Sequence, residues 1–216
     1  MTVSSPSNSP ANTTPVVRTV LRQATHEHHN QLNRHSMLAG LTQPDYTINE
    51  YQKLLCAYVG LYQALEQLIL SFLSDNETQF DYRPRLKSAW LLQDLAYFHI
   101  EPDSFSHASQ ALNIKNRGDL IGILYVIEGS TLGGQLISKH LAKNLGITPE
   151  TGGRFFGGYG ENTATFWTDF LHFAANLDGN ESECMAAKNS ACQTFQLFLQ
   201  TLDDFSAYTA QLHQVK

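Results

Sequence analysis

The sequence predicts an all-α fold, a single-domain bundle of seven or eight helices, and three observations carry that prediction. Through most of the 216 residues, apolar side chains recur every three or four positions, the spacing that collects them on one side of a helix. Start and stop signals bound these stretches: Thr14-Pro15, the capping box Thr47-Ile48-Asn49-Glu50, Arg83-Pro84 and a closing Gly146. No segment offers itself as a sheet partner, and a lone strand would leave its backbone groups unpaired.

Residues 1–13 are rich in Ser, Pro, Asn and Thr and hold almost no apolar surface, so they read as a disordered tail before a domain at 14–216. A first helix starts at Thr14-Pro15 and ends near His35, with Val17, Val20, Leu21, Ala24 and Leu32 on its apolar side. The capping box opens a second, running to about Leu73 on a broad face that includes Tyr51, Leu54, Tyr58, Tyr62, Leu65 and Ile69. Arg83-Pro84 starts a third, with Leu86, Trp90, Leu91, Leu95 and Phe98. From His99 to Gly118 the chain is a connection, with a short helical turn around Phe105–Leu112. Two last helices cover Thr163–Leu177 and Ser182 to about Leu212.

Between them lies the stretch Asp119–Leu145. Its first half, Leu120–Ile127, is a continuous apolar run, and its second half shows helical spacing in Leu132, Leu136, Ile137, Leu141 and Leu145. Gly129, Gly133 and Gly134 stand in the middle, although each glycine in a helix costs about 1 kcal/mol relative to alanine. A strand followed by a phosphate-binding turn is the competing reading. Gly129-Ser-Thr-Leu-Gly-Gly134 matches neither the dinucleotide fingerprint nor a P-loop. One long helix, bent at glycines whose missing side chains let something flat approach the backbone, fits better. Thr148–Asn162 is a glycine-heavy loop whose Phe155, Phe156 and Tyr159 suggest a flap lying over something.

A net charge of -6 argues against general nucleic-acid binding. Cys56, Cys184 and Cys192 are too few and too scattered for a disulfide framework or a zinc site. No secretory signal opens the chain, and no apolar stretch reads as the roughly 20 residues that span a bilayer, so the expectation is a soluble cytoplasmic protein.

Three of the nine histidines, His26, His28 and His29, fall within four positions of the first helix. Histidine is the commonest side-chain ligand for a borderline metal or a heme iron. Successive helical residues are about 100° apart, so these three cannot face one centre. The apolar pattern turns His28 inward, sets His29 on the flank beside Thr25 and leaves His26 in solvent. On spacing alone, His28 precedes His29 as a ligand candidate. His26-x-x-His29 could form half a metal site, but no second half is in view, and Glu50, Glu66 and Glu128 lack the Glu-x-x-His pairing of a dinuclear centre.

Taken together, Leu21-Arg-Gln-Ala-Thr25-x-x-x-His29-x-x-Leu32 and Gly122-Ile-Leu-Tyr-Val-Ile-Glu-Gly-Ser-Thr-Leu-Gly-Gly134 resemble the bacterial heme oxygenases, more narrowly the branch found beside bacterial phytochromes. The resemblance runs from about Thr14 onward and implies heme held between the first helix and the glycine-bent one. It makes His29 the proximal iron ligand, Gly129 and Gly133 the distal glycines, Arg22 a propionate partner, and Thr25, Leu32 and Gly134 further heme contacts. Ser130 with ordered water would form the proton network. The implied reaction uses heme as substrate and cofactor, with O2 and electrons from a ferredoxin or similar donor. Its products are biliverdin, carbon monoxide and ferrous iron, the biliverdin available to a bacterial phytochrome.

The chain departs from the family at three places. Ser130 stands where animal-type members carry Asp, Asn33 where many relatives have an acidic residue, and Thr168 where a basic residue often follows the Trp. These departures keep a silent heme-binding or regulatory protein of the same fold as an alternative. A thiaminase-like helical enzyme is a further one, although none of the cysteines lies in a motif that suggests its nucleophile.

Overall fold

A computed structural model describes residues 16–76, 78, 80–102 and 112–214, the last three without side-chain detail. Among them are eight α-helices, joined by short connections and four 3-10 turns, and no strand. They are α1 (Val16–Arg34), α2 (Ser36–Ala39), α3 (Ile48–Asp75), α4 (Ser88–Tyr97), α5 (Arg117–Leu145), α6 (Arg154–Gly157), α7 (Thr163–Ala174) and α8 (Glu181–Gln214). The N-terminal tail, the Thr14-Pro15 start and most of the expected turn around Phe105–Leu112 lie outside the described residues.

α1 begins with its first two backbone N–H groups donating to the carboxylate of Asp178, Val16 at 3.0 Å and Val17 at 2.9 Å. These are groups that no intrahelical carbonyl can satisfy. α3 starts as the sequence requires, with Thr47 and Glu50 bonding each other's backbone N–H in a reciprocal capping box. α4 begins later than Arg83-Pro84 suggests, because Arg83–Arg85 forms a separate 3-10 turn first.

α5 runs unbroken through all three mid-helix glycines. Asn116 caps its first turn, accepting from Asp119 N at 3.0 Å, and Gly146 ends it in the left-handed region at φ +68°. Its first half is buried on every side, and its largest packing contact is with α8. Gly118 and Gly122 allow that contact: a Cβ would lie 2.2 Å from Glu183 O at the first and 2.3 Å from Ala187 O at the second. Two helix axes come this close only where one side presents no side chain.

α3 and α5 are each long and apolar enough to cross a membrane by length and composition, which corrects the expectation of no such stretch. Just over half of each apolar window is buried by other helices, the behaviour of core helices.

The glycine-heavy segment contains a short helix, α6, rather than loop throughout. Asp94 on α4 accepts from Arg154 N at 2.7 Å and Phe155 N at 2.8 Å, and Tyr51 OH donates to Gly152 O at 2.9 Å. Burial raises the Asp94 pKa to about 6 despite those two bonds. Phe155 and Phe156 are buried, so this segment packs into the bundle as a wall.

Candidate functional site

α1 and α5 both pack on α8, and between them opens a cleft of about 800 Å³. That volume lies within the roughly 300–1,000 Å³ typical of small-molecule sites. Tyr58 and Tyr62 from α3, Phe155 and Phe156 from α6, and Phe195 and Phe198 from α8 line the cleft. Edge-to-face contacts hold these rings together, with centroids 5.6 Å apart for Tyr58 and Phe198 and 5.1 Å for Tyr62 and Phe155.

Arg22, Thr25, His29 and Leu32 border the cleft from α1, and Gly129, Ser130, Gly133 and Gly134 border it from α5. One pocket therefore brings together the eight residues that the family resemblance assigns to the site. His29 is exposed there, its ring meeting Phe195 edge-on with centroids 6.0 Å apart. Its Nδ1 lies 3.2 Å from the Asn33 side-chain amide, and among the described residues Nε2 has no hydrogen-bond partner. Partial burial, then the neighbouring His26, lowers its pKa from the ordinary histidine value, which favours the neutral imidazole. His28, favoured by helical spacing, is not on the cleft; its Nε2 stands 3.4 Å from the Gln196 amide. The wide apolar stripe of α1 is shared between the core and the α8 contact, so facing inward and facing the cleft are different directions.

The three α5 glycines differ in what they face. Gly133 looks into open space, with nothing within 4 Å of a Cβ built there. Gly129 faces the ring of Trp167 at 3.7 Å, an ordinary contact. Gly134 is turned toward the backbone of Phe156, whose carbonyl oxygen would be 3.1 Å from a Cβ. Its small size therefore serves the α5–α6 contact.

Ser130 donates to Ile127 O at 2.9 Å, and the Tyr62 side chain lines the same cleft. Burial raises the Tyr62 pKa, so the phenol stays protonated and acts as a donor. The cations on the cleft are Arg18 and Arg22, one helical turn apart on α1, with His26 a turn further. With Thr19 and Gln23 they also line an adjoining groove of about 430 Å³. Trp167 lines the cleft, whereas Thr168 is exposed and does not.

Spacing did not reveal a charged cluster behind α5. Glu128 is fully buried and accepts from Arg85 Nη1 at 2.9 Å, Lys87 Nζ at 2.7 Å and Tyr159 OH at 2.9 Å. Glu66 takes the backbone N–H of Lys87 at 2.5 Å and of Ser88 at 3.2 Å. Desolvation lowers the Lys87 pKa against the pull of Glu128. The signal was present as carboxylates within the apolar faces of two long helices, near the isolated basic run Arg83-Pro-Arg-Leu-Lys87. Charges so placed need partners from elsewhere in the chain.

The residues lining the cleft suit a heme: His29 with its lowered pKa, aromatic walls, a glycine that faces open space and two arginines on α1. Similar folds occur in solved structures. The NO- and CO-bound heme oxygenase from Neisseria meningitidis superposes with a TM-score of 0.71 at 21% identity, covering 89% of this chain and 92% of that one. The heme oxygenase from Leptospira interrogans gives 0.70 at 20%, over 88% and 98%. Heme oxygenase-1 from the cyanobacterium Synechocystis, in complex with heme, gives 0.72 at 17%, over 92% and 96%. Among curated proteins none matches the sequence. At these identities the superpositions establish the fold, and the sequence itself supplies the family: a family model described as Heme oxygenase matches residues 17–204, nearly the whole described chain, so the protein belongs to the heme oxygenase family.

Proposed function

We propose that this protein degrades heme to biliverdin, with His29 as the iron ligand and the Gly129–Gly134 face of α5 as the distal wall. The observation that carries the reading is the placement of a neutral His29 and the uncovered Gly133 on one cleft. Bound heme supplies the iron that activates O2 and the porphyrin edge that is cleaved, releasing carbon monoxide and ferrous iron.

The chain's own residues orient and protect that chemistry. Asn33, with its amide turned so that Oδ1 accepts from Nδ1–H, fixes the His29 ring and keeps the Nε2 lone pair available; the two orientations differ only by exchange of oxygen and nitrogen. Arg22 and Arg18 pair with propionates, a bidentate match of guanidinium to carboxylate. Thr25, its hydroxyl bonded to Leu21 O at 2.8 Å, and Leu32 complete the α1 wall. Gly129 and Gly133 admit a flat ligand close to the helix backbone. Ser130 and Tyr62 supply hydroxyl protons at the distal side in place of a carboxylate. The aromatic walls keep bulk water out.

Electrons come from a ferredoxin or similar donor in the cytoplasm, and the biliverdin is available to a bacterial phytochrome. Absorption titration with hemin, followed by reduction in air, tests it on wild type and His29→Ala together. Loss of the heme band with growth of a biliverdin band in the wild type alone is the expected result. A stable oxygenated complex that never turns over points to a heme-binding regulator. Equal turnover by the variant removes His29 from its role.

A further inference from the structure

We infer that Glu128 is a positioning residue: gripped from behind by Lys87, Arg85 and Tyr159, it sets the rotation of α5 and so the stance of Gly129, Ser130 and Gly133 toward the cleft. The inference rests on the heme-degrading reading for its effect on product, but its structural content stands on the ligand-free protein.

On the cleft side, Gly129 and Gly133 offer little to hold α5. A Cβ at Gly133 would meet nothing within 4 Å, and one at Gly129 would meet one ring at ordinary contact distance. Successive residues turn by about 100°, which puts Ser130 about 200° around the helix from Glu128. A grip on one therefore fixes the other. The grip is directional, because both Glu128 oxygens are engaged: Oε1 by Lys87 Nζ at 2.7 Å and Oε2 by Arg85 at 2.9 Å, with Tyr159 OH at 3.1 and 2.9 Å from the two.

Its partners are anchored in turn. The Arg85 guanidinium lies between the rings of Phe80 and Phe166, 4.6 and 4.7 Å from their centroids, and donates to Phe166 O at 3.0 Å. Lys87 is held through its backbone by Glu66 on α3, and Tyr159 stacks on Phe166 at 4.0 Å. The anchor thus ties the glycine-bearing part of α5 to α3 and α7. Burying two cations and a carboxylate is costly, and apolar residues of equal volume often serve stability as well. Apolar packing is less directional, and on the cleft side Gly133 offers no side chain to set the angle of these turns.

Glu128→Gln tests this, with Glu128→Asp as the charge-keeping control. In ligand-free protein, amide hydrogen exchange at residues 125–134 should rise about tenfold in Glu128→Gln, with α3 and α8 unchanged and partial recovery in Glu128→Asp. After hemin loading and turnover, the ratio of biliverdin isomers should shift while hemin affinity holds. Uniform acceleration across the core, or no acceleration at all, overturns the inference, as does an unchanged isomer ratio with unchanged exchange. If Glu128→Gln does not fold, Tyr159→Phe removes one donor from the same carboxylate, and local acceleration is again the required result. A wild type that takes up no hemin defeats the proposed function, yet the exchange measurement still decides the positioning role.

Discussion

At the scale of single residues, His29 and Gly133 set what the cleft can hold. A neutral imidazole binds a metal and a protonated one does not, so the lowered pKa of His29 has a measurable consequence. Hemin affinity should be flat from pH 7 to 8 and fall by about tenfold per pH unit once the pH drops below the His29 pKa, itself under 6.5. A spectroscopic titration across pH 4.5 to 8 would show it; an affinity independent of pH throughout would remove His29 as the ligand. The sequence narrowed the ligand to His28 or His29, and only the family resemblance preferred His29. The reason lies in α1, whose apolar stripe serves two neighbours, so spacing along one helix cannot say which flank borders a cleft built by three others.

At the scale of elements, the glycines of α5 divide into two sets with opposite expected behaviour. Gly122→Ala drives a Cβ into Ala187 O, 2.3 Å away, and should destabilise the protein by about 1–3 kcal/mol, with α5 and α8 forced apart. Gly133→Ala meets nothing and should stabilise the ligand-free protein by up to about 1 kcal/mol, as alanine does in a helix. It should also weaken hemin binding or turnover, because the new methyl group stands in the cleft. Urea unfolding of both variants, with a hemin titration of Gly133→Ala, checks the contrast. Equal destabilisation by the two would mean that Gly133 is a packing glycine like Gly122. Gly129, Gly133 and Gly134 attract notice in the sequence because they cluster. Gly118 and Gly122 do not, although their contacts are tighter, because what they touch is a helix more than 60 residues further on.

At the scale of the whole molecule, contacts across the length of the chain hold α1 in place. Asp178, distant in sequence, satisfies the first two N–H groups of α1, so Asp178→Ala should lower stability by about 1 kcal/mol and loosen the start of α1. The lowered midpoint of thermal unfolding, with increased proteolysis near Val16, is the expected signature; an unchanged midpoint would mean that water replaces the cap. Hemin affinity should fall as well, since Arg18 and Arg22 ride on that end of the helix.

The sequence by itself determined the helical class, the extents of α3 and α5, the capping box and the Gly146 stop. Each of these follows from spacing, capping chemistry or backbone freedom within a few neighbouring residues. Only the tertiary structure decided which face of α1 borders the cleft, which glycines serve packing, and that Glu128 finds its counter-charges on Arg85 and Lys87. Those outcomes depend on groups brought together from distant parts of the chain, and no local pattern encodes which buried charge will meet which.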